Sequence, residues 1–326
     1  MIAETWDIIL LRDSTTRTVV AGTALLGLAS GVIGTFAVLR RRSLVGDAVA
    51  HASLPGVCVA FFVVGDRHFP SLLIGALVFG LLGAGCIAAI REWTRIKEDA
   101  AIGLVLGTFF GLGIVLSGVI QRMPGGNRAG LDGFLFGKAA SMVSSDAWTI
   151  GGTAAGTVAL VALLFKEFRL LCFDREYAAS SGIPVLWMDL LLLALVTTCT
   201  VAGLPAAGVV MVAALLIIPA SAARFWTENL TVMTVIAGFF GVASAVVGTM
   251  VSATVIGPAG AFSRGLPTGP CITLAATAFF LLSMVFAPRR GVVADVWRLF
   301  SLRRELALQR PLRRVLRVDS PPETEA

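Results

Sequence analysis

The chain has 326 residues, of which 57% are hydrophobic and 14% are charged, and its mean hydropathy is +0.89. Soluble domains contain about 45–50% apolar and about 25% charged residues, so this composition excludes an ordinary soluble protein. The formal net charge is +6. The basic residues lie in short clusters between apolar segments, as membrane topology signals do, and they do not indicate a nucleic-acid partner.

Nine apolar segments follow one another along the chain, most of them close to the ~20 residues that a helix needs to cross a bilayer. They cover approximately residues 17–39, 47–64, 71–90, 100–119, 147–165, 187–202, 204–223, 230–250 and 268–287. One segment could instead lie in the interface or re-enter, either the first or one of the pair 187–202 and 204–223. The predicted fold is therefore an all-α polytopic membrane bundle with eight or nine transmembrane helices.

Basic residues are concentrated in every second connection between these segments, and therefore on one side of the membrane. Most of them lie in residues 40–42, 91–99 and 166–176, in Arg224, and in the tail from Arg289. Cytoplasmic loops retain Lys and Arg, so this set is predicted to face the cytoplasm, and nine crossings would place the amino terminus outside. Residues 1–291 are predicted to form the transmembrane domain. Residues 292–326 are predicted to be a basic cytoplasmic tail, partly helical and then disordered.

The chain offers no site of its own for ATP. It contains no G-x-x-x-x-G-K-[ST] phosphate loop, and its 35 glycines recur instead at spacings that let transmembrane helices pack closely. Any ATP hydrolysis would come from a separate subunit, so the chain itself is predicted not to be an enzyme. The five cysteines show no CxxC pair, and we interpret them as small core residues.

Two ionisable residues stand out in the second apolar segment. Asp47 and His51 are four residues apart and would share one face of a helix. A carboxylate and an imidazole on one face can bind a divalent cation such as Mn, Fe or Zn, and charged groups inside a membrane are functional candidates by default. Alternatively, Asp47 caps the helix and His51 hydrogen-bonds a neighbouring helix. Pro55, one turn further on, would loosen the helix near the pair.

The connection at residues 165–185, FKEFRLLCFDREYAASSGIPV, has mixed charge and faces the predicted cytoplasmic side. It contains a predicted short helix from Asp174 to Ser180 and a stop at Gly182. A short helix in this place is suited to docking on another protein, although a solvated loop fits the composition as well.

Prolines interrupt the later apolar segments. Pro219 and Pro267 predict kinks or broken helices, which transport proteins use to expose backbone carbonyls along a central path. They could equally be inert kinks.

Four stretches resemble the permeases of metal-type ABC transporters. They are GDAVAHASLPG (46–56) after a basic loop, FDREYAASSGIP (173–184), VVMVAALLIIPASAAR (209–224), and LPTGPCITLAATAFFLLSMVFAPRRG (266–291). The resemblance covers residues 17–291, and its first two stretches are long and in the right order. Members of this family import zinc, manganese or iron into the cytoplasm, using a separate ATPase and an extracytoplasmic metal-binding protein.

The resemblance implies roles for the matched residues. Asp47 and His51 would contact the ion along the translocation path. The coupling segment that fits the ATPase would comprise Phe173, Asp174, Glu176 and Gly182. Many relatives carry a carboxylate where this chain has Gly265, so any gate or ligand role of that carboxylate is absent or supplied elsewhere.

The resemblance also implies a setting. The chain would be a multi-pass protein of the bacterial inner membrane, in contact with lipids, and would pair with itself or with a related permease. It would hold no permanently bound cofactor, since the divalent metal is cargo. The alternatives are a permease for a metal chelate such as a siderophore or cobalamin, and a membrane enzyme that uses Asp47 and His51 as base and orienter.

Overall fold

The computed structural model describes residues 14–65, 69–123, 142, 144–254, 266–288 and 291–294. Every regular element in these residues is helical. The helices of six or more residues are α1 (Ser14–Leu39), α2 (Val45–Ala52), α3 (Leu54–Val64), α4 (Phe69–Trp93), α5 (Glu98–Arg122), α6 (Ser144–Leu163), α7 (Phe165–Phe173), α8 (Arg175–Ser180), α9 (Val185–Trp226), α10 (Leu230–Thr254) and α11 (Thr268–Phe286).

Within the described residues, eight helical stretches are long and apolar enough to cross a membrane. They coincide with the predicted apolar segments to within a few residues, and α2 and α3 together form one of them, Val45–Val64. The helices α7 and α8 are short and lie in the predicted cytoplasmic connection. The prediction of an all-α polytopic bundle is confirmed.

The long helix α9 is a hairpin of two antiparallel arms. A straight helix of 42 residues would extend about 63 Å, twice the thickness of the hydrocarbon core. The backbone leaves the helical region at Gly208, with φ 74° and ψ 164°. A Cβ on Gly203 would lie 2.9 Å from Val212 Cγ2, although nine residues of straight helix would separate them by about 13 Å. Residues 185–207 and 209–226 therefore cross separately, which makes nine crossings in the part of the chain that the structure describes.

Helix α1 packs against α10 through glycine. A Cβ added to Gly27 would collide with the carbonyl of Gly241, and one added to Gly31 would collide with the carbonyl of Ala237. Since apolar surface gains little by leaving lipid for protein, such close backbone contact is what holds transmembrane helices together. The glycines of α1 thus set its distance from α10.

Helix α7 is anchored to the inner end of α1. Phe36 of α1 packs against Phe165 and Phe168 of α7, with ring centroids 5.8 Å and 5.6 Å apart. Phe168 and Leu171 are fully buried. The connection that follows is therefore attached to the membrane bundle along its inner face.

Several expectations lie outside the described residues. These are the position of Gly265 and the helical and disordered parts of the tail beyond residue 294.

Replacement of Gly31 by leucine is expected to push α1 away from α10. The new side chain would overlap the carbonyl of Ala237, and overpacking of this kind costs about 1–3 kcal/mol. The measurement is the temperature at which the detergent-solubilised protein loses its monodisperse peak. The control is Gly152→Leu on α6, where a Cβ meets no atom within 4 Å. Equal stability of the two variants would contradict the packing assigned to α1.

Candidate functional site

Asp47 and His51 lie on one face of α2, as their spacing predicts. His51 Nε2 is 3.7 Å from Asp47 Oδ1, which is longer than a hydrogen bond. Two ligands that each lie about 2.1 Å from one divalent ion are about 3.0–3.4 Å apart, so a small side-chain rotation would let both bind the same ion. The side chains of Asp47 and His51 are 37% and 24% exposed, whereas every other residue of α2 is buried.

His51 is oriented by an aromatic neighbour. Its ring meets the edge of Phe110 on α5, with centroids 4.7 Å apart and planes at 75°. Its Nδ1 atom is buried and has no hydrogen-bond partner among the described residues. The imidazole is therefore held by packing, and its nitrogens are not committed to a protein partner other than the nearby Asp47.

The pair lies within the helical bundle, well away from the ends of α9. The adjacent Gly46 contacts Leu216 on the second, returning arm of α9 (residues 209–226) and faces Thr200 on the first, outgoing arm (residues 185–207). Thr200 is about 22 Å along the helix from Val185, and Leu216 is about 15 Å from Trp226. Both arm ends lie on the side predicted to face the cytoplasm, so Gly46 is about 15–22 Å from that end of α9.

The pair supplies two ligands and no more. In the described ranges, no group of three or more His, Cys, Asp and Glu side chains could hold a metal ion. Further ligands would have to come from water, backbone carbonyls or a second subunit. Such a site suits an ion that binds and leaves better than a resident metal.

The three prolines occupy different positions in their helices. Pro55 lies in the first turn of α3 and has no amide hydrogen for the carbonyl of His51, four residues earlier. The backbone stays helical at Pro219, and the break in α9 is at Gly208. Pro267 is the N-cap of α11, so it begins a helix and does not kink one. A proline can bend a helix without leaving helical φ/ψ angles, so the kink at Pro219 stays a prediction, whereas Pro267 stands at the start of α11.

The predicted short helix of the coupling segment is confirmed as α8. Asp174 caps it, because its Oδ1 accepts a hydrogen bond of 2.8 Å from the amide of Tyr177. Gly182 has φ +81°, and the amide of Ile183 donates to the carbonyl of Ala178 at 3.1 Å. This is a Schellman cap, which favours glycine at that position.

The segment presents aromatic side chains at its outer surface. Phe173 is 66% exposed, and Tyr177 and Trp187 are exposed as well. Glu176 is also exposed beside them. These aromatic residues are exposed next to an acidic side chain, on a connection between membrane-spanning helices. Such a surface is typical of a protein-docking site.

A buried charge cluster, which we call the Asp189 cluster, lies at the cytoplasmic end of the bundle. The Asp189 side chain is 2% exposed and forms ion pairs with arginines from three parts of the chain. The nitrogen–oxygen distances are 2.6 Å to Arg40, 2.9 Å to Arg91, 3.3 Å to Arg42 and 4.0 Å to Arg175. Glu98 joins the cluster through Arg42 at 2.8 Å and Arg91 at 3.7 Å. Removing one partner from a buried ion pair of this kind costs about 3–5 kcal/mol.

No role was predicted for Asp189 from the sequence. The residue lies inside the predicted apolar segment 187–202, so Asp47 and His51 are not alone among ionisable groups in the crossing helices. An aspartate within an apolar run was a usable signal, because such a residue needs a partner. Its arginines are remote in sequence, so the sequence alone did not identify them.

The cysteines are free, and most are packed inside the bundle. Cys58, Cys199 and Cys271 are buried, and Cys172 is partly buried in α7. Burial raises the pKa of the Cys172 thiol to about 11, so the free thiol stays protonated at neutral pH. Cys86 is exposed, contrary to its interpretation as a core residue.

Comparisons with known proteins agree with this architecture. The chain matches the ABC 3 transport family over residues 12–287. It is 47% identical over 302 residues to the manganese transport system membrane protein MntC of Bacillus subtilis (strain 168), covering 93% of this chain and 68% of that protein. It is 42% identical over 289 residues to the zinc transport system membrane protein TroC of Treponema pallidum (strain Nichols), covering 89% and 94%.

A solved structure shares the fold as well. The chain is similar to a chain of PsaBC from Streptococcus pneumoniae in complex with Fab, with a TM-score of 0.74 and 33% identity over 89% of this chain and 98% of that one. The family match spans almost all of the membrane-crossing helices. The chain therefore belongs to the ABC 3 transport family and is a multi-pass permease of a metal-type ABC transporter in the bacterial inner membrane.

Proposed function

We propose that this permease imports manganese or zinc ions and that Asp47 and His51 bind the ion during its passage. The observation that carries the proposal is a carboxylate and an imidazole 3.7 Å apart, partly exposed, on a membrane-spanning helix. Ionisable groups within membrane-spanning helices are costly, which makes this pair a functional candidate. Relatives named for manganese and for zinc transport support these two cargoes.

The ligand chemistry suits both metals. Carboxylate oxygen and imidazole nitrogen each bind Mn²⁺ and Zn²⁺, and the Irving–Williams order favours zinc at almost any such site. Affinity at this pair therefore does not select the cargo, and selection would depend on the protein that delivers the ion. Iron fits the same ligands, but neither relative described above is named for it.

Transport requires partners that the chain does not contain. A cytoplasmic ATPase would bind the coupling segment, and an extracytoplasmic metal-binding protein would deliver the ion to the outer end of the bundle. Closure of two ATPase subunits on ATP would move the coupling segments. The helices around Asp47 and His51 would then open alternately to the two sides.

A second permease would cover the face of α5. Gly103, Gly107 and Gly111 recur every four residues on α5, and a Cβ on any of them would meet no atom within 4 Å. The same helix carries Phe110, which contacts His51. A second copy of this chain, or a related permease, packed on these glycines would shield the half-exposed pair from lipid and could supply further ligands.

The alternatives are less well supported. A permease for a siderophore or cobalamin needs a wide path and no ligating pair, whereas here a small ligating pair lies against Phe110. A membrane enzyme would need a further acid or a nucleophile beside Asp47 and His51, and no third His, Cys, Asp or Glu joins them in a metal-binding group among the described residues.

Asp47→Asn and His51→Ala are each expected to abolish uptake of manganese and zinc, because either change removes one of the two ligands. The measurement is cellular metal content by elemental analysis in a medium free of chelators, which also separates ion import from chelate import. Controls are Asp99→Asn, at the exposed start of α5, and His68→Ala. Wild-type uptake in both site variants would refute the assignment.

Gly107→Leu is expected to weaken pairing of the permease by about 10-fold, equivalent to about 1.4 kcal/mol, because a large side chain would separate helices that meet at this surface. Native mass spectrometry of the purified complex measures the paired fraction and distinguishes a homodimer from a heterodimer. Gly152→Leu on α6, also in open space, is the control. An unchanged paired fraction in Gly107→Leu would exclude α5 from the interface.

Phe173→Ala is expected to reduce co-purification of the ATPase without lowering the thermal stability of the permease, because the ring is 66% exposed and packs little within the chain. Trp148→Ala, 82% exposed at the outer end of α6, is the matched control. Normal ATPase recovery with Phe173→Ala would show that the segment docks elsewhere.

A further inference from the structure

The Asp189 cluster is joined to the coupling segment at two points. Arg40 Nη1 donates a hydrogen bond of 2.6 Å to the carbonyl of Leu171 in the last turn of α7, while its Nη2 pairs with Asp189 at 2.6 Å. Arg175, the first residue of α8, lies 4.0 Å from Asp189 and 3.8 Å from Glu92 of α4. A displacement of α7 or α8 must therefore stretch or exchange these contacts.

The same cluster is joined to the helices of the proposed ion site. Arg42 lies three residues before the start of α2, and its carbonyl accepts a hydrogen bond of 3.2 Å from the amide of Val45, the first residue of α2. Its side chain pairs with Asp189 and with Glu98, the first residue of α5. Helix α2 carries Asp47 and His51, and α5 carries Phe110 against His51.

The cluster is not fully satisfied in this arrangement. Four arginines converge on Asp189, and the carboxylates that accompany it are Glu98 and Glu92. Arg42 Nη1 is buried and has no hydrogen-bond partner among the described residues, and Asp189 Oδ1, although 2.6 Å from Arg40 Nη2, accepts no well-aligned hydrogen bond there. A buried donor without a partner is unfavourable. An excess of donors around one carboxylate allows the partners to exchange when the surrounding helices move.

We propose that Asp189 is a positioning residue for transport, which transmits movement of the coupling segment, through Arg175 and Arg42, to the helices that hold the ion. The inference rests on the proposed function, because it concerns the path between the ATPase and the Asp47–His51 pair. Asp189 does not contact the ion. Through its ion pairs it ties together four helix ends, namely the start of α9, the end of α1 and the starts of α2 and α5.

The test measures how much metal is transported for each ATP hydrolysed. The complete transporter, with its ATPase and binding protein, is reconstituted in liposomes, and manganese or zinc uptake is recorded together with phosphate release. Asp189→Asn keeps the shape of the side chain and removes its charge. The expected result is normal assembly and continued ATP hydrolysis. The metal-to-ATP ratio is expected to fall by a factor of about 5 to 150, the usual range of coupling between sites. Asp189→Glu is expected to recover part of this ratio.

Arg175→Gln keeps the inference testable if Asp189→Asn fails to assemble. Arg175 is 48% exposed, so its replacement leaves the fold intact, and the expected fall in the metal-to-ATP ratio is about 2- to 5-fold, as for a partly exposed ion pair. Arg169→Gln is the control, since Arg169 is exposed on the adjacent α7 and takes no part in the ion pairs of the cluster.

The outcomes separate this inference from the proposed function. A wild-type transporter that accumulates neither metal refutes the proposed function. The positioning role alone is refuted if the wild-type transporter accumulates metal and the metal-to-ATP ratio is unchanged in Arg175→Gln and in any assembled Asp189→Asn. Loss of uptake and of ATP hydrolysis in equal proportion also refutes it, because that result indicates a structural ion pair.

Discussion

A polar group in the hydrocarbon core of a membrane finds no water, so its hydrogen-bond partners must come from the protein. The helices meet this constraint for the backbone, and their interruptions lie where protein covers them. Gly208 is buried at the break that joins the two arms of α9. The buried Ser53 hydroxyl donates a hydrogen bond of 2.6 Å to the carbonyl of Ala50. The carboxylate of Asp189 is met by arginines. Asp47 and His51 depart from this pattern, since neither has a full set of protein partners.

The same constraint gives glycine two different uses in this bundle. On α1, Gly27 and Gly31 lie against backbone carbonyls of α10, so they fix a contact within the chain. On α5, Gly107 and Gly111 repeat the same spacing but face open space. Close approach of helices needs small residues in both cases. The difference is whether the neighbouring helix belongs to this chain or to a second permease.

The cytoplasmic end combines a rigid inner face with an exposed outer face. Phe168 and Leu171 hold α7 to the bundle, whereas Phe173 and Tyr177 point away from it. Force applied to the outer face would therefore act on the bundle and not on a loose loop. The buried charges behind this segment connect it to the helices that flank the ion pair. An ion held by two side chains, without a complete set of ligands in one chain, is suited to passage and release.

Local sequence patterns determined much of this protein. Apolar segment lengths predicted the crossing helices, basic residues predicted their orientation, the spacing of Asp47 and His51 predicted their shared face, and Gly182 predicted the end of α8. Each of these follows from the residue's own chemistry or from helical periodicity, which acts over a few residues. The motif resemblance identified the family for the same reason, because its two strongest stretches are continuous in sequence.

Only the tertiary structure decided how these pieces meet. The break at Gly208 favours nine crossings over eight, because it divides α9 into two arms that pack against each other. The partners of Asp189 are 98 residues away at Arg91 and 147 residues away at Arg42. Hydropathy and periodicity carry no information over such separations. The tertiary structure determines which helices become neighbours. That arrangement decides which distant charges pair, where Asp47 lies in the bundle, and which glycines contact another helix of the chain.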